Sequence, residues 1–77
     1  MRPAQAGMFA RSLAGHDKGK LFVIVRVEEP YVYLADGKNR LLEQPKKKKL
    51  MHVQLDYQQA DISSDLEIRK ALKAKEV

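Results

Sequence analysis

The stretch that decides the fold is Arg11-Ser12-Leu13-Ala14-Gly15-His16-Asp17-Lys18-Gly19-Lys20, which runs directly into Leu21-Phe22-Val23-Ile24-Val25-Arg26-Val27. A polar segment with two glycines precedes a long apolar run rich in β-branched residues, which is typical of a turn that leads into a strand. Gly15 and Gly19 can adopt positive φ because they lack a Cβ atom. The stretch therefore predicts a rigid turn that holds Lys18 and Lys20 next to the strand Leu21–Val27.

Four further short strands are predicted around this one. Gly7–Leu13 precedes the turn, and Tyr31–Ala35, Arg40–Glu43 and Leu50–Leu55 follow in the chain. Alternation along the long strand predicts that Val23, Val25 and Val27 form its core face. Five short strands joined by tight turns predict a small five-stranded barrel, because closure removes the exposed edges that so short a sheet could not protect.

The segments between the predicted strands are turns and one basic loop. Asp36-Gly37 predicts a hairpin turn between the third and fourth strands. Gln44–Lys49 is predicted to be a loop, since a proline and four like charges resist regular pairing. The residues expected to set turn geometry are Gly15, Asp17, Gly19, Asp36 and Gly37.

The C-terminal part of the chain predicts a helix over residues 63–75. Ser64 and Glu67 have the spacing of a capping box at its start. An apolar stripe follows on one face, formed by Ile68, Ala71 and Leu72. The predicted organisation is a barrel module over residues 5–56, followed by a linker and short helix over residues 57–77.

Length and composition limit the class of protein. The chain has 77 residues, of which 44% are apolar, and this suffices for one domain with a small core. It contains no cysteine, which excludes a disulfide scaffold and fits a reducing, cytoplasmic setting. The N-terminal residues lack the apolar region of a signal peptide, and no apolar run approaches the length of a membrane helix. We therefore expect a cytoplasmic protein without a membrane partner.

The charge is concentrated in the predicted barrel. The net charge is +5, and residues 1–55 carry +6 whereas residues 56–77 carry −1. A small basic module favours a polyanionic partner, most often a nucleic acid. The charge could also serve solubility alone.

Three segments together resemble a known family. ARSLAGHDKGKLFVIV, YLADGKNR and PKKKK, in this order, resemble the KOW motif of ribosomal and transcription-factor proteins. The chain is similar to the small bacterial relatives of the ribosomal large-subunit fourteen-e protein family. The resemblance implies an SH3-like barrel whose first turn contacts RNA, with Lys18 and Lys20 at the matching positions.

Basic residues and two histidines from these segments form the predicted RNA-binding set. Lysines and arginines would neutralise phosphates and release counterions, so that binding would depend strongly on salt. The lysine run also allows other interpretations, namely a solvated loop, a membrane-surface contact or a localisation signal. The set consists of Arg11, His16, Lys18, Lys20, Lys38, Arg40, Lys46, Lys47, Lys48, Lys49 and His52.

The predicted function is non-enzymatic binding of structured RNA, with ribosomal RNA as the expected example and ribosomal proteins as further partners that the resemblance allows. No catalytic constellation, phosphate loop or metal-ligand spacing is present in the sequence, so no enzyme activity, metal or cofactor is expected. Two alternatives remain open, a protein-interaction module of SH3-like fold and a DNA-binding module. Tyr31 and Tyr33 could stack on bases or simply cover the outside of the barrel.

Overall fold

The chain folds into one five-stranded antiparallel sheet and a C-terminal helix in a computed structural model that describes residues 3–76. The order of strands across the sheet is β4-β3-β2-β1-β5, so that β4 and β5 are its two edges and the sheet is not closed. The predicted mainly β fold with a C-terminal helix is confirmed at this level. The elements are β1 (Met8–Ser12), β2 (Leu21–Glu28), β3 (Tyr31–Ala35), β4 (Lys46–Lys49), a 3₁₀ turn (Leu50–His52), β5 (Val53–Gln59) and α1 (Asp65–Glu76).

One face of the sheet encloses the larger hydrophobic cluster. Four of the five strands, β1, β2, β3 and β5, contribute to this inner cluster. Leu50 of the 3₁₀ turn and Leu55 and Tyr57 of β5 pack against this cluster. Its buried members are Met8, Ala10, Phe22, Ile24, Val32, Leu34 and Val53.

The helix covers part of the other face. Ile68 is fully buried in this outer cluster, and Ala71 and Leu72 pack beside it, as the predicted apolar stripe requires. The N–H of Glu67 donates to Ser64 Oγ at 3.1 Å, which confirms Ser64 as the N-cap. The sheet residues of the outer cluster are Phe9, Leu21, Val23 and Ala35.

The prediction that Val23, Val25 and Val27 share one face is wrong. The pairing between β2 and β3 shifts between Ile24 and Arg26, so that Val25 is the extra residue of a β-bulge. Val25 packs on the outer cluster with Val23, whereas Val27 packs on the inner cluster. A simple alternation of two cannot reveal such a bulge, because the extra residue reverses the faces of everything after it.

The fourth strand lies at the lysine run. The predicted strand Arg40–Glu43 is wrong, because residues 36–45 form a loop whose only ladder contact is an isolated bridge between Leu41 and Gln44. The predicted loop at Gln44–Lys49 is also wrong from Lys46 onward, since Lys46–Lys49 pairs with β3. The like charges are tolerated because alternate lysines point to opposite sides and the inward pair meets a carboxylate, as shown below.

The last strand begins later than its alternation predicts. Leu50–His52 forms the 3₁₀ turn, and the side chain of Met51 is exposed, with Met51 at 75% relative accessibility. β5 then starts at Val53, pairs with β1 and continues to Gln59. Alternation over the predicted strand Leu50–Leu55 would place Met51 on the same face as Val53 and Leu55, which is wrong because the helical turn breaks the period-two pattern.

Candidate nucleic-acid interface

The turn between β1 and β2 is held by its own backbone. Gly15 and Gly19 have φ of +85° and +88°. The N–H of Gly19 donates to the Ser12 carbonyl at 2.8 Å, and the N–H of Lys20 donates to the Asp17 carbonyl at 2.9 Å. Positive φ at these two positions lets the chain reverse within the turn without a Cβ clash. The side chains of His16 and Lys18 project from this turn and are exposed.

Asp17 joins this turn to the lysine strand. Its Oδ1 accepts a hydrogen bond from Ser12 Oγ at 2.7 Å and one from Lys48 Nζ at 3.2 Å. Its Oδ2 lies 2.6 Å from Lys46 Nζ. Lys48 Nζ also donates to the Ala14 carbonyl at 2.9 Å. Two lysines of β4 are therefore fixed to a turn that lies about 30 residues earlier in the sequence, which no local sequence pattern indicates.

The charge on Asp17 is secured by these contacts. Burial of the carboxyl would raise its pKa, but the hydrogen bonds from Lys46, Ser12 and Lys48 outweigh it and hold the pKa far below the ordinary value. The Asp17 side chain is only 11% exposed, and the Lys48 side chain only 10%. The group is thus an ion cluster that is shielded from water at the base of the turn.

Asp36 organises the second segment in a different way. Its Oδ1 accepts the backbone N–H groups of Lys38, Asn39 and Arg40, each at 2.9 Å. Its Oδ2 lies 2.7 Å from Lys20 Nζ. Burial opposes ionisation here too, but the hydrogen bonds from Lys20 and from the loop backbone lower the pKa of Asp36 to about 2. Asp36 therefore begins an ordered loop and not the predicted hairpin turn.

Five members of the predicted RNA-binding set make contacts within the fold. Lys46 and Lys48 bind Asp17, and Lys20 binds Asp36. Arg11 Nη1 donates to the Gly19 carbonyl at 2.6 Å, which ties it to the first turn. His52 is half-buried, and its carbonyl accepts the N–H of Leu13 at 2.8 Å. Lys48 is therefore shielded from solvent, whereas the side chains of Lys20 and Arg11 remain 42% and 41% exposed while making these contacts.

The remaining basic members of the set are exposed. They come from the first turn, from the loop after β3 and from the outward side of β4. The two ion clusters link these three segments to one another through Lys20 and through Asp17, so the structure brings them into one region. These exposed bases are Lys18, Lys38, Arg40, Lys47 and Lys49.

The tyrosines of β3 lie beside this region with cations over their rings. Lys47 Nζ is 4.2 Å from the centroid of the Tyr31 ring, and the Arg26 guanidinium is 4.7 Å from that of Tyr33. The Tyr33 hydroxyl donates to Glu28 at 3.1 Å. Both tyrosines are half-buried, and neither belongs to the outer cluster that the helix covers.

Sequence reasoning missed two kinds of residue. The two aspartates were predicted only as turn residues and Ser12 only as part of the first strand, although Ser12 is buried and Asp17 binds side chains of β4. The sequence analysis also placed the excess of positive charge in residues 1–55. Lys70 and Lys73 of α1, however, line a groove together with Lys38 of the loop. The only sequence signal for this placement is the apolar stripe that packs α1 on the sheet.

No protein-family model matches this chain, and a search of curated proteins finds no match either. Residues 3–76 contain no helix that is long and apolar enough to cross a membrane. Within the same residues, no group of three or more histidine, aspartate or glutamate side chains is placed to hold a metal ion.

Proposed function

We propose that this chain is a non-enzymatic RNA-binding module that holds structured RNA through its phosphate backbone. The observation that carries the proposal is the convergence of three basic segments, fixed to one another by Asp17 and Asp36. Positive charge held on ordered segments loses little conformational freedom on binding, which favours affinity. Contacts to phosphate fix position and carry little sequence information, so shape would dominate recognition.

The two aspartates reduce the number of phosphate contacts to be expected from the lysine strand. Lys46 and Lys48 are already paired with Asp17 and are 27% and 10% exposed. Lys47 and Lys49 point outward. We therefore assign two phosphate contacts to β4, not four, with further contacts from Lys18, Lys38 and Arg40.

The SH3-like KOW barrel and the ribosomal setting belong to this proposal. Its support is the topology, in which the edges β4 and β5 follow each other in the chain and are joined by a single 3₁₀ turn. The inner cluster, to which β1, β2, β3 and β5 contribute, supports a sheet that curls toward closure. In a cytoplasmic protein with this resemblance, ribosomal RNA is the first candidate ligand.

The test is the salt dependence of RNA binding for wild type and for Lys47→Ala with Lys49→Ala. The association constant for an RNA duplex is measured between about 50 and about 200 mM salt, and its logarithm should fall linearly with that of the salt concentration. Loss of two phosphate contacts should reduce the slope by about 1.8.

The matched control is Gln54→Glu with Gln58→Glu. It lowers the net charge by the same two units at exposed positions of β5, the opposite edge of the sheet. Its slope should stay close to that of wild type. If the control and the lysine variant change the slope equally, only the net charge matters and the proposed interface is wrong. If wild type does not bind RNA, the function itself is wrong.

A second candidate function rests on one apolar surface. Pro30, Leu50 and Met51, with Glu29 and Lys49 at their side, line a depression of about 370 Å³ at the far end of β4. The exposure of Met51 favours a protein partner there, since large exposed apolar side chains often mark interaction surfaces. Binding by this surface would resist salt and would be lost on Met51→Ser, whereas RNA binding would survive that substitution.

A further inference from the structure

A groove lies between the helix and the loop that Asp36 organises. It has a volume of about 780 Å³, and α1 forms one wall while the loop and the start of β2 form the other. Most of its charged lining is basic. The basic residues are Lys20, Lys38, Arg69, Lys70 and Lys73, and the acidic ones are Asp36 and Glu76.

The acidic residues of the groove already have partners. Asp36 is paired with Lys20 and with the loop backbone, and Glu76 Oε1 lies 3.8 Å from Arg11 Nη2. Lys70 Nζ lies 3.6 Å from Glu67, but its side chain is 64% exposed, and such a surface pair is weak. The net effect is a positive groove with cations on both walls.

The two walls are fixed to each other. Arg69 Nη1 donates to the Gly37 carbonyl at 2.5 Å, and the N–H of Leu42 donates to Asp65 Oδ1 at 2.9 Å. Gly37 has φ of +77°, and a Cβ there would overlap the Asp65 carbonyl and lie 2.8 Å from Arg69 Cγ. The loop thus approaches the helix as closely as a glycine allows, and the groove is formed before any ligand arrives.

We infer that this groove is a second phosphate-binding surface, which takes a sugar–phosphate strand of the same RNA between Lys38 on one wall and Lys70 and Lys73 on the other. The inference rests on the proposed function and extends it to the helix. Lys70 and Lys73 are three residues apart and so lie on one side of α1, roughly 5 to 6 Å apart at Cβ.

Charge complementarity selects this occupant. A nucleic-acid strand carries a negative charge at every residue and so matches cations on both walls. The groove is also joined to the proposed interface, because Lys20 lines it and belongs to the turn that Asp17 fixes to β4. One RNA can therefore contact both surfaces, with the turn between them.

The experiment compares wild type with Lys70→Ala and Lys73→Ala combined. Both positions are exposed or at the groove margin, and alanine is a stronger helix former than lysine, so the fold should be kept. The probe is an RNA duplex of about 16 base pairs, long enough to span successive grooves. The slope of the logarithm of the association constant against that of the salt concentration should fall by about 1.8. A fourfold rise in salt, from about 50 to about 200 mM, would then weaken RNA binding by wild type ~12-fold more than binding by the variant.

A second readout locates the contact. Titration of ¹⁵N-labelled protein with the same duplex should shift the backbone amide signals of Lys38, Lys70 and Lys73. The control is Gln54→Glu with Gln58→Glu, which lowers the net charge equally, and it should leave the slope near that of wild type.

The outcomes separate this inference from the proposed function. If the slope falls for the β4 variant (Lys47→Ala with Lys49→Ala) but not for the helix variant (Lys70→Ala with Lys73→Ala), the inference about the groove is wrong and the proposed function is unaffected. The inference is also wrong if the helix variant has the same salt slope as the control, or if the amide signals of α1 do not shift during the titration. Absence of RNA binding by wild type overturns both. Binding of an acidic protein segment that displaces the duplex from the groove but not from β4 would assign the groove to a protein partner and overturn the inference.

Discussion

The two basic segments are built around the same kind of residue, a shielded aspartate, yet they are stabilised in opposite ways. Asp17 binds side chains that come from another part of the chain, Lys46 and Lys48 of β4. Asp36 binds mainly the backbone of its own loop and takes one distant side chain, Lys20. Asp17 thus joins two segments that are distant in sequence (a tertiary tie), whereas Asp36 orders the loop that follows it (a local template).

This difference explains why an all-lysine segment can be a strand. A lysine strand at a sheet edge is common as protection against edge-to-edge pairing, but four adjacent positive charges repel one another. Alternation separates them into an inner and an outer pair, and Asp17 neutralises part of the inner pair. The outer pair is left for solvent or ligand. Structure and the proposed binding thus use the two sides of one strand.

The largest effect is expected from Asp17→Ala. This change leaves Lys46 and Lys48 close together without their carboxylate, and breaking such a shielded ion cluster costs about 3 kcal/mol of the free energy of unfolding. Urea unfolding should show the loss. In a background that already contains Lys48→Met, the same change should cost clearly less, because one buried charge is gone. An equal cost in both backgrounds would contradict the tie to β4.

Asp36→Ala should have a smaller and more local effect. The loop loses one acceptor for three N–H groups, which we expect to cost about 2 kcal/mol. Hydrogen exchange should accelerate more at the amides of Lys38, Asn39 and Arg40 than at the β-sheet amides. The sheet amides should accelerate only as much as the fall in global stability requires. If the loop amides accelerate no more than the β-sheet amides, whose exchange follows the fall in global stability, Asp36 is not a local template.

The pH dependence of stability follows from the same two groups. Both aspartates have a pKa below the ordinary value of 3.8, so the unfolded chain binds protons that the folded chain does not. Their contribution is complete above the unfolded pKa and is lost as the pH falls toward the folded pKa, between about pH 4 and pH 2 for Asp36. Each group contributes up to about 1.4 kcal/mol per pH unit in its window.

Unfolding at a series of pH values measures this slope. Asp36→Asn should remove most of the Asp36 contribution and flatten the curve between pH 4 and 2. A curve as steep as that of wild type would mean that other carboxyl groups carry the acid sensitivity.

The sequence predicts the elements whose signals are local. β3 has the predicted bounds, the ends of β1 and β2 lie within one residue of the predicted ones, and the helix has its N-cap at Ser64. The order of turn, strand and helix follows from alternation, glycine placement and the capping box. These signals depend only on neighbours in the chain.

The parts that failed depend on contacts distant in sequence. Lys46–Lys49 has the local features of a loop, and only Asp17 together with the open edge of β3 makes it a strand. The bulge at Val25 and the 3₁₀ turn at Leu50 shift the alternation without a Gly or Pro to mark them. The split of the lysines into paired and exposed members could not be predicted for the same reason.

The smallest effect is expected at Gly19, close to the point where the first turn meets β2. Gly19 has φ of +88°, and a Cβ there would have no atom within 4 Å. Gly19→Ala should therefore cost only the left-handed backbone conformation, about 1 kcal/mol, with Gly19→Asn costing less because asparagine tolerates that region. Urea midpoints at constant m-value would measure both.

Because the space around Gly19 is open, the salt slope of RNA binding should stay at the wild-type value in both variants. A loss of RNA binding without a loss of stability would mean that the backbone at Gly19 itself approaches the ligand, and the turn would then be a contact and not only a support for Lys18.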